Sequence, residues 1–376
     1  MFLAESGHLP VNDGKRQRTF ALLKALSAQY EIDFLILNNR QDFLKAKEDT
    51  NIKNVNFLEC TYQSRFPFID KVGKWVGLLF RKQKKVVEFI SDQFKKSNYC
   101  VVFSRYLRPV INVPNGSRII CDIDDDFTEV YRSRIKAAGS IWKKIRYLQI
   151  FLLNYPLYKK QLARVEPIQV KGKEGFILPN LPFQMLLADK QGVAPSTVHD
   201  LLYVGKLSYK PNMEGLLWFL EEVWPQVIKK GQGLRLSVVS SVLPGQLLMH
   251  TIEKAEGVSY LGRVESLSEE YKNHSMVVAP VFSGGGSNIK VSEALLMGRG
   301  VVTTSFGVKG FEKAEELGYI KTADSPEGFA QNLLDSMKDS EKMEKLQQEI
   351  AHWAGEYFSY EDWAKSLLDF IDEKVK

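Results

Sequence analysis

The chain is short of the residues that staple or ligate. Its three cysteines, Cys60, Cys100 and Cys121, lie scattered in apolar surroundings, which excludes a disulfide framework and a cysteine metal knuckle and fits core thiols in a reducing compartment. His8 and His274 have no cysteine or histidine at ligand spacing. No apolar run approaches the roughly 18 residues of a spanning helix. The opening "MFLAESGHLPVNDG" has no basic region ahead of an apolar one, so a cytoplasmic location is expected. There is no internal repeat and no low-complexity tract.

What is present is an ordinary globular composition, 44% hydrophobic and 26% charged over 376 residues, enough for two domains with a core each. The net charge of +6 is unevenly spread. Up to position 170 there are 29 basic against 17 acidic residues, a balance of +12, and beyond it 22 against 28, a balance of −6. The first half therefore asks for an anionic partner.

Short apolar runs alternate with helix-period segments, the pattern of open parallel sheets covered by helices. Strands are expected at Phe2–Ala4, Ile32–Leu37, Val55–Leu58, Tyr99–Phe103 and Arg118–Ile123 in the first half. In the second they are expected at Asp200–Val204, Leu234–Ser240, Val258–Leu261, Ser275–Val281 and Val301–Thr304. Helices are expected at Lys15–Gln29, Asn212–Lys229, Ser287–Met297 and Lys342–Trp353, and the proline-bearing Glu174–Phe183 reads as a hinge. The fold class expected is α/β, with two Rossmann-like doubly wound domains facing a central cleft at the carboxyl ends of their strands. Glycine-bearing loops follow four of those strands: Gly7–Gly14, Gly205-Lys206, Ser283–Ser287 and Ser305–Gly310.

The loop "VFSGGGSNIKVSEALLMG" carries the most chemistry. Gly284, Gly285 and Gly286 let backbone approach a ligand, and Ser287 can cap the helix that follows. With Asn288, that helix start offers free N–H groups to a phosphate, and Lys290 adds a full charge. Glu293, one turn on, suits a hydroxylated group such as ribose. A P-loop is excluded, because Ile289 and Val291 flank Lys290, and a dinucleotide fingerprint is excluded by Ile289 where its third glycine belongs.

Three stretches, "LLYVGKLSYKPNMEGLLWFLEEVWPQVI" (201–228), "APVFSGGGSNIKVSEALLMGRGVVTTSFGVKGFE" (279–312) and "FSYEDWAKSLLDFI" (358–371), resemble retaining glycosyltransferases of the GT-B fold, in the family 4 (group 1) set. "LPVNDGKRQRTFALLKAL" (9–26) and "IICDIDDDF" (119–127) resemble it more loosely. The resemblance implies an acceptor-side domain at 1–178, a nucleotide-sugar donor domain at 179–357, and a closing helix at 358–376 that crosses back to the first domain. It implies catalytic roles for Lys206, Lys290 and Glu293. Donor binding would fall to Gly14, Lys15, Arg18, Gly205, Lys210, Arg263, Gly284, Gly285, Gly286, Ser287 and Asn288. The first glutamate of the family's E-x7-E signature is replaced by Gly285. Between 164 and 180 the chain passes from strand to strand with no room for the helix the family has there.

In such a reaction the costly event is departure of a nucleoside diphosphate, and no protein nucleophile or resident cofactor is expected. His8, Asp122, Asp124 and Asp125 are read as acceptor-side residues, with no metal site. The expected partners are a nucleotide sugar and a glycan or lipid-linked acceptor, in bacterial surface polysaccharide synthesis, with no nucleic acid. Two basic-aromatic stretches, Lys71–Lys85 and Lys143–Lys160, suit an anionic membrane surface on the inner face of the plasma membrane. A catalytically silent homologue that binds nucleotide as a scaffold is the alternative reading.

Overall fold

The computed structural model describes residues 1–5, 7–9, 14–37, 40–48, 52–60, 79–80, 82–124, 126–136, 138–170, 175–187, 200–230, 233–284 and 288–376. They divide into two compact units, Met1–Leu181 with Tyr360–Lys376, and Pro182–Gly284 with Asn288–Ser359.

The first unit is built on β1 (Phe2–Ala4), β2 (Ile32–Ile36), β3 (Val55–Glu59), β4 (Val102–Arg105), β5 (Ile119–Ile123), β6 (Glu166–Gln169) and β7 (Phe176–Ile177). All neighbours pair in parallel, in the order β3-β2-β1-β4-β5-β6-β7. A parallel sheet covered on both faces needs near-continuous apolar strands, and "FLA" and "IDFLI" supply them. Phe2 meets the rings of Phe34 and Phe103 at 5.0 Å each. Only six residues separate β6 from β7, so no crossover helix lies between them.

The helix Tyr360–Val375 belongs to this unit and packs on the helix Gly14–Ser27. Its buried residues Trp363, Leu367 and Ile371 recur every four positions, one stripe of a helical surface. Phe370 stacks on Phe176 at 4.1 Å, and Trp363 Nε1 donates to the Pro179 carbonyl at 2.7 Å.

The second unit is built on β8 (Asp200–Val204), β9 (Arg235–Val239), β10 (Val258–Gly262), β11 (Met276–Ala279), β12 (Gly300–Thr303) and β13 (Ile320–Thr322). The order is β10-β9-β8-β11-β12-β13, again wholly parallel. Strand order reverses between β8 and β11, the switch point at which ligands bind in such sheets. Phe219, Trp224, Val238, Val278, Phe329 and Leu333 form its core.

The helix expected at Asn212–Lys229 begins two residues earlier and is interrupted. Lys210–Trp218 runs into a π-helical turn, Phe219–Val223, before Trp224–Lys230. The wider turn lets Phe219, Leu220, Val223 and Trp224 all face inward. Gly215 explains how closely the first segment lies on the sheet: a Cβ there would fall 1.8 Å from the Pro280 carbonyl oxygen, just beyond β11.

Candidate functional site

In the second unit, adjacent strands β8, β11 and β12 end in loops that converge on one side chain, Asn212. Its Nδ2 donates to the Lys206 carbonyl at 3.2 Å, and its Oδ1 accepts from Lys290 Nζ at 2.9 Å. The loop after β8 is thereby tied to the first turn of the helix Ile289–Leu296. Gly205 is confined by the same arrangement, since a Cβ would come within 2.9 Å of the Tyr203 hydroxyl and 3.2 Å of Asn212 Nδ2. Gly284 has a φ of 135°, which L side chains rarely adopt, and a Cβ on it would stand 3.0 Å from the Tyr209 hydroxyl. Asn288 Nδ2 donates to the Gly307 carbonyl at 2.9 Å, adding the loop after β12.

Lys290 is buried, 8% exposed, with its Nζ 5.2 Å from the centre of the Tyr203 ring. Burial pushes its ammonium down to about 8, and the Glu293 carboxylate offsets only part of that. Glu293 is also buried and accepts from the Tyr271 hydroxyl at 3.1 Å. Burial and that carboxylate drive the Tyr271 phenol well above its ordinary range, so it stays a donor. Arg299 fixes the wall behind, donating to the Tyr271 and Lys272 carbonyls and to Gln347 Oε1. The outcome is a buried cation and carboxylate one turn apart, at the mouth of a sheet where chain direction reverses.

The other residues expected in the donor site are placed unequally. Lys206 and Lys210 are exposed beside this cluster, and Lys210 pairs with Glu214 at 2.8 Å along its helix. Arg263 is exposed beyond β10, two strands away from β8 at the sheet edge. Gly285, Gly286 and Ser287 lie outside the described residues.

The first unit corrects three expectations. Arg18 is fully buried and faces Asp122, with Nε 3.0 and 2.9 Å from the two carboxylate oxygens. Its remaining donors reach the Pro179 carbonyl at 3.1 Å and Asn180 Oδ1 at 2.9 Å. With its fork spent inside the unit, Arg18 is a structural cation and does not reach a diphosphate. Asp122 is likewise spent: it accepts from both Arg18 and Arg105. Burial alone would raise its carboxyl, but the two guanidiniums hold it below its ordinary value. Asp124 joins the same network, 3.5 Å from Arg105 and accepting from Asn180 Nδ2 at 3.1 Å. His8 is the third correction. It is fully buried and ringed by Phe20, Phe34 and Phe57, with centroids 5.6 to 6.1 Å away, a core ring and not an acceptor-side group. Asp125 lies outside the described residues, and Gly14 opens its helix. Lys15 is exposed, with its ammonium 5.5 Å from the Tyr106 ring. Tyr106 itself holds a left-handed φ of 69° at the end of β4.

Asn212, Tyr271 and Arg105 were not legible as functional positions. Asn212 is an amide near a helix start, where a cap is the ordinary reading. Tyr271 and Arg105 sit in segments whose apolar periodicity said only helix and strand.

A doubly wound unit whose switch-point loops gather a buried lysine and glutamate, in one chain with a second doubly wound unit, defines the GT-B class of glycosyltransferase folds. Residues 198–339 match the family model described as Glycosyl transferases group 1. The chain is therefore a GT-B fold protein with a group 1 glycosyltransferase domain. It is similar to an uncharacterized 44.6 kDa protein in the cps region of Klebsiella pneumoniae, 23% identical over 326 residues, 80% of this chain and 81% of that one. In fold it is similar to sucrose-phosphate synthase from Thermosynechococcus elongatus, with a TM-score of 0.68, 14% identity and coverage of 99% and 98%. The Anabaena protein HepE in complex with UDP and glucose aligns with a TM-score of 0.57, 11% identity and coverage of 99% and 98%. Staphylococcus aureus TarM, in complex with UDP and glycan ligands, aligns at 0.51 and 13% identity over 76% of this chain, which spans only 58% of TarM.

Proposed function

We propose that the protein moves a sugar from a nucleoside-diphosphate sugar to a glycan or lipid-linked acceptor in surface polysaccharide synthesis, with retention at the anomeric carbon. The observation that carries this reading is Lys290, a cation held dry, drawn down to about 8 and only partly balanced by Glu293. Such an ammonium gains most from an anion brought close, and the charge that grows as a sugar leaves is on the β-phosphate. Glu293 would accept from the ribose hydroxyls, and Lys206 and Lys210 would face the diphosphate from the loop after β8. The bond from the anomeric carbon to the phosphate oxygen breaks while the bond to the acceptor oxygen forms. The acceptor proton passes to the departing phosphate, so the reaction asks for no resident cofactor. The cps-region relative supports the polysaccharide setting, and the UDP complexes of HepE and TarM make UDP-sugars the first to try.

The test is thermal shift with UDP-, GDP- and ADP-sugars on the wild type and on Glu293→Ala. One nucleotide class at about a hundred times its Kd should stabilise the wild type by about 3 kcal/mol, and Glu293→Ala should lose most of that. The donor site is refuted if no nucleotide sugar moves the transition, or if the variant keeps the full shift.

A further inference from the structure

The helix Ile141–Leu162 presents an apolar stripe to solvent along its outer side. Ile141, Ile145, Leu148 and Leu152 follow one another at helical spacing, and Trp142 and Leu153 widen the stripe. Trp142 is 77% exposed, Ile141 65% and Leu152 60%. This is not the side on which the helix packs. The inner side buries Asn154, Tyr158 and Gln161. There Asn154 Oδ1 accepts from the Leu79 amide at 2.7 Å, and the Tyr158 hydroxyl donates to Asp126 Oδ2 at 2.8 Å. The Phe127 ring stacks on Phe151 and Tyr158, at 5.7 and 5.2 Å. One helix thus has two apolar sides, and only one of them serves the core.

Charge identifies what the outer side fits. The helix carries Lys143, Lys144, Arg146, Lys159 and Lys160 and not one acidic residue. The helix Phe127–Lys136, packed against it, adds exposed Arg132, Arg134 and Lys136 against a single Glu129. Apolar residues with a tryptophan, rimmed at both ends by lysines, match the layered chemistry of a bilayer interface, where acyl chains lie below anionic headgroups. A second copy of the chain fits worse, because it would set one basic rim against another.

We propose that this helix is an interfacial anchor that lays Ile141, Trp142, Ile145, Leu148 and Leu152 into the surface of an anionic phospholipid membrane, with Lys143, Lys144, Arg146, Lys159 and Lys160 at headgroup level. The anchor is independent of the sugar-transfer reading, since none of these residues touches the Lys290 cluster. It would hold the enzyme where lipid-borne substrates are found.

The test is co-sedimentation of the full chain with vesicles of phosphatidylcholine alone and of phosphatidylcholine mixed with phosphatidylglycerol, at low and high salt. Wild type should partition to the anionic vesicles, less so at high salt, and emission from Trp142, isolated by subtraction of Trp142→Phe, should shift to the blue. Leu148→Ser with Leu152→Ser should weaken partition on the order of a hundredfold, and Lys143→Glu with Lys144→Glu by more than about tenfold. All variants should melt as the wild type does and keep its response to nucleotide sugars, so a failed donor assay and a failed vesicle assay are read apart. The proposal falls if wild type ignores anionic vesicles or if the variants bind them equally well. It falls too if the wild type is a dimer that the leucine variant dissociates while vesicle binding is unchanged.

Discussion

Replacing Lys290 by methionine should make the unliganded protein more stable while emptying it of donor affinity. The ammonium is drawn from an ordinary 10.5 to about 8 by burial, after Glu293 has already returned part of the loss. At roughly 1.4 kcal/mol for each pH unit, holding the charged form in place at neutral pH costs about 3 kcal/mol. Methionine removes that cost and fills a similar volume, but it forfeits the bond to Asn212 Oδ1, about 1 kcal/mol. A net gain of about 2 kcal/mol should raise the melting of the second unit by roughly 4 to 8 °C at pH 7. The pH dependence has a definite sign. Below pH 8 folded and unfolded chains both carry the proton and the penalty is whole. From about 8 to 10.5 the unfolded chain binds more protons, so wild-type stability rises with pH and the advantage of methionine fades. Donor affinity should run the other way and fall as the ammonium is lost above about 8. Thermal denaturation of both proteins at pH 7 and pH 10, with and without nucleotide sugar, reads all of this. A methionine variant less stable than wild type at pH 7, or a difference that is the same at both pH values, would refute the reasoning.

Two further outcomes follow from packing. Arg18→Met leaves the buried Asp122 with Arg105 as its one cationic partner and should cost about 3 to 5 kcal/mol in the first unit. Because both guanidiniums hold the Asp122 carboxyl below its ordinary value, that stabilisation is lost only as pH falls through the lowered value, and acid unfolding of the variant should begin at higher pH. A variant that loses less than about 1 kcal/mol would show that the pair is not structural. Gly215→Ala puts a Cβ 1.8 Å from the Pro280 carbonyl oxygen, backbone that cannot swing aside, and should cost more than about 2 kcal/mol. It should also blunt the response to nucleotide sugars, since Asn212 rides on the same helix; wild-type melting would contradict the close approach.

Much of the fold could be read in advance because apolar runs in a parallel sheet are nearly continuous. Phe2–Ala4 and Asp200–Val204 end where the runs end. β4 was less legible: Tyr99–Phe103 was expected and Val102–Arg105 forms, because Arg105 is a charged residue whose place in a strand is secured by Asp122, seventeen positions away. β13 escaped because three residues around Lys321 carry no alternation. The glycine loop, Lys290 and Glu293 were visible because glycine, a cap and a charge at helical spacing have a local chemical meaning. The pairing of Arg18 with Asp122 across 104 positions has none, and each residue in isolation looked like a free contact for a substrate. Exposure was equally hidden, since periodicity alone could not say which apolar side of Ile141–Leu162 meets the core.

The helix Tyr360–Val375 is the last element made, yet it completes the unit that is made first. Arg18 and Trp363 both donate to the Pro179 carbonyl, one bond from within the first segment and one from the chain's far end. At translation speeds of about 5 to 20 residues per second, the first unit waits roughly 10 to 40 s for that helix. Throughout that interval the second unit is synthesised, and it can fold from an unbroken run of sequence. Order of synthesis and order of completion are therefore inverted in this chain. The surface of the helix Gly14–Ser27 that will receive Trp363, Leu367 and Ile371 stays uncovered on the ribosome, where a chaperone that binds apolar surface would find it.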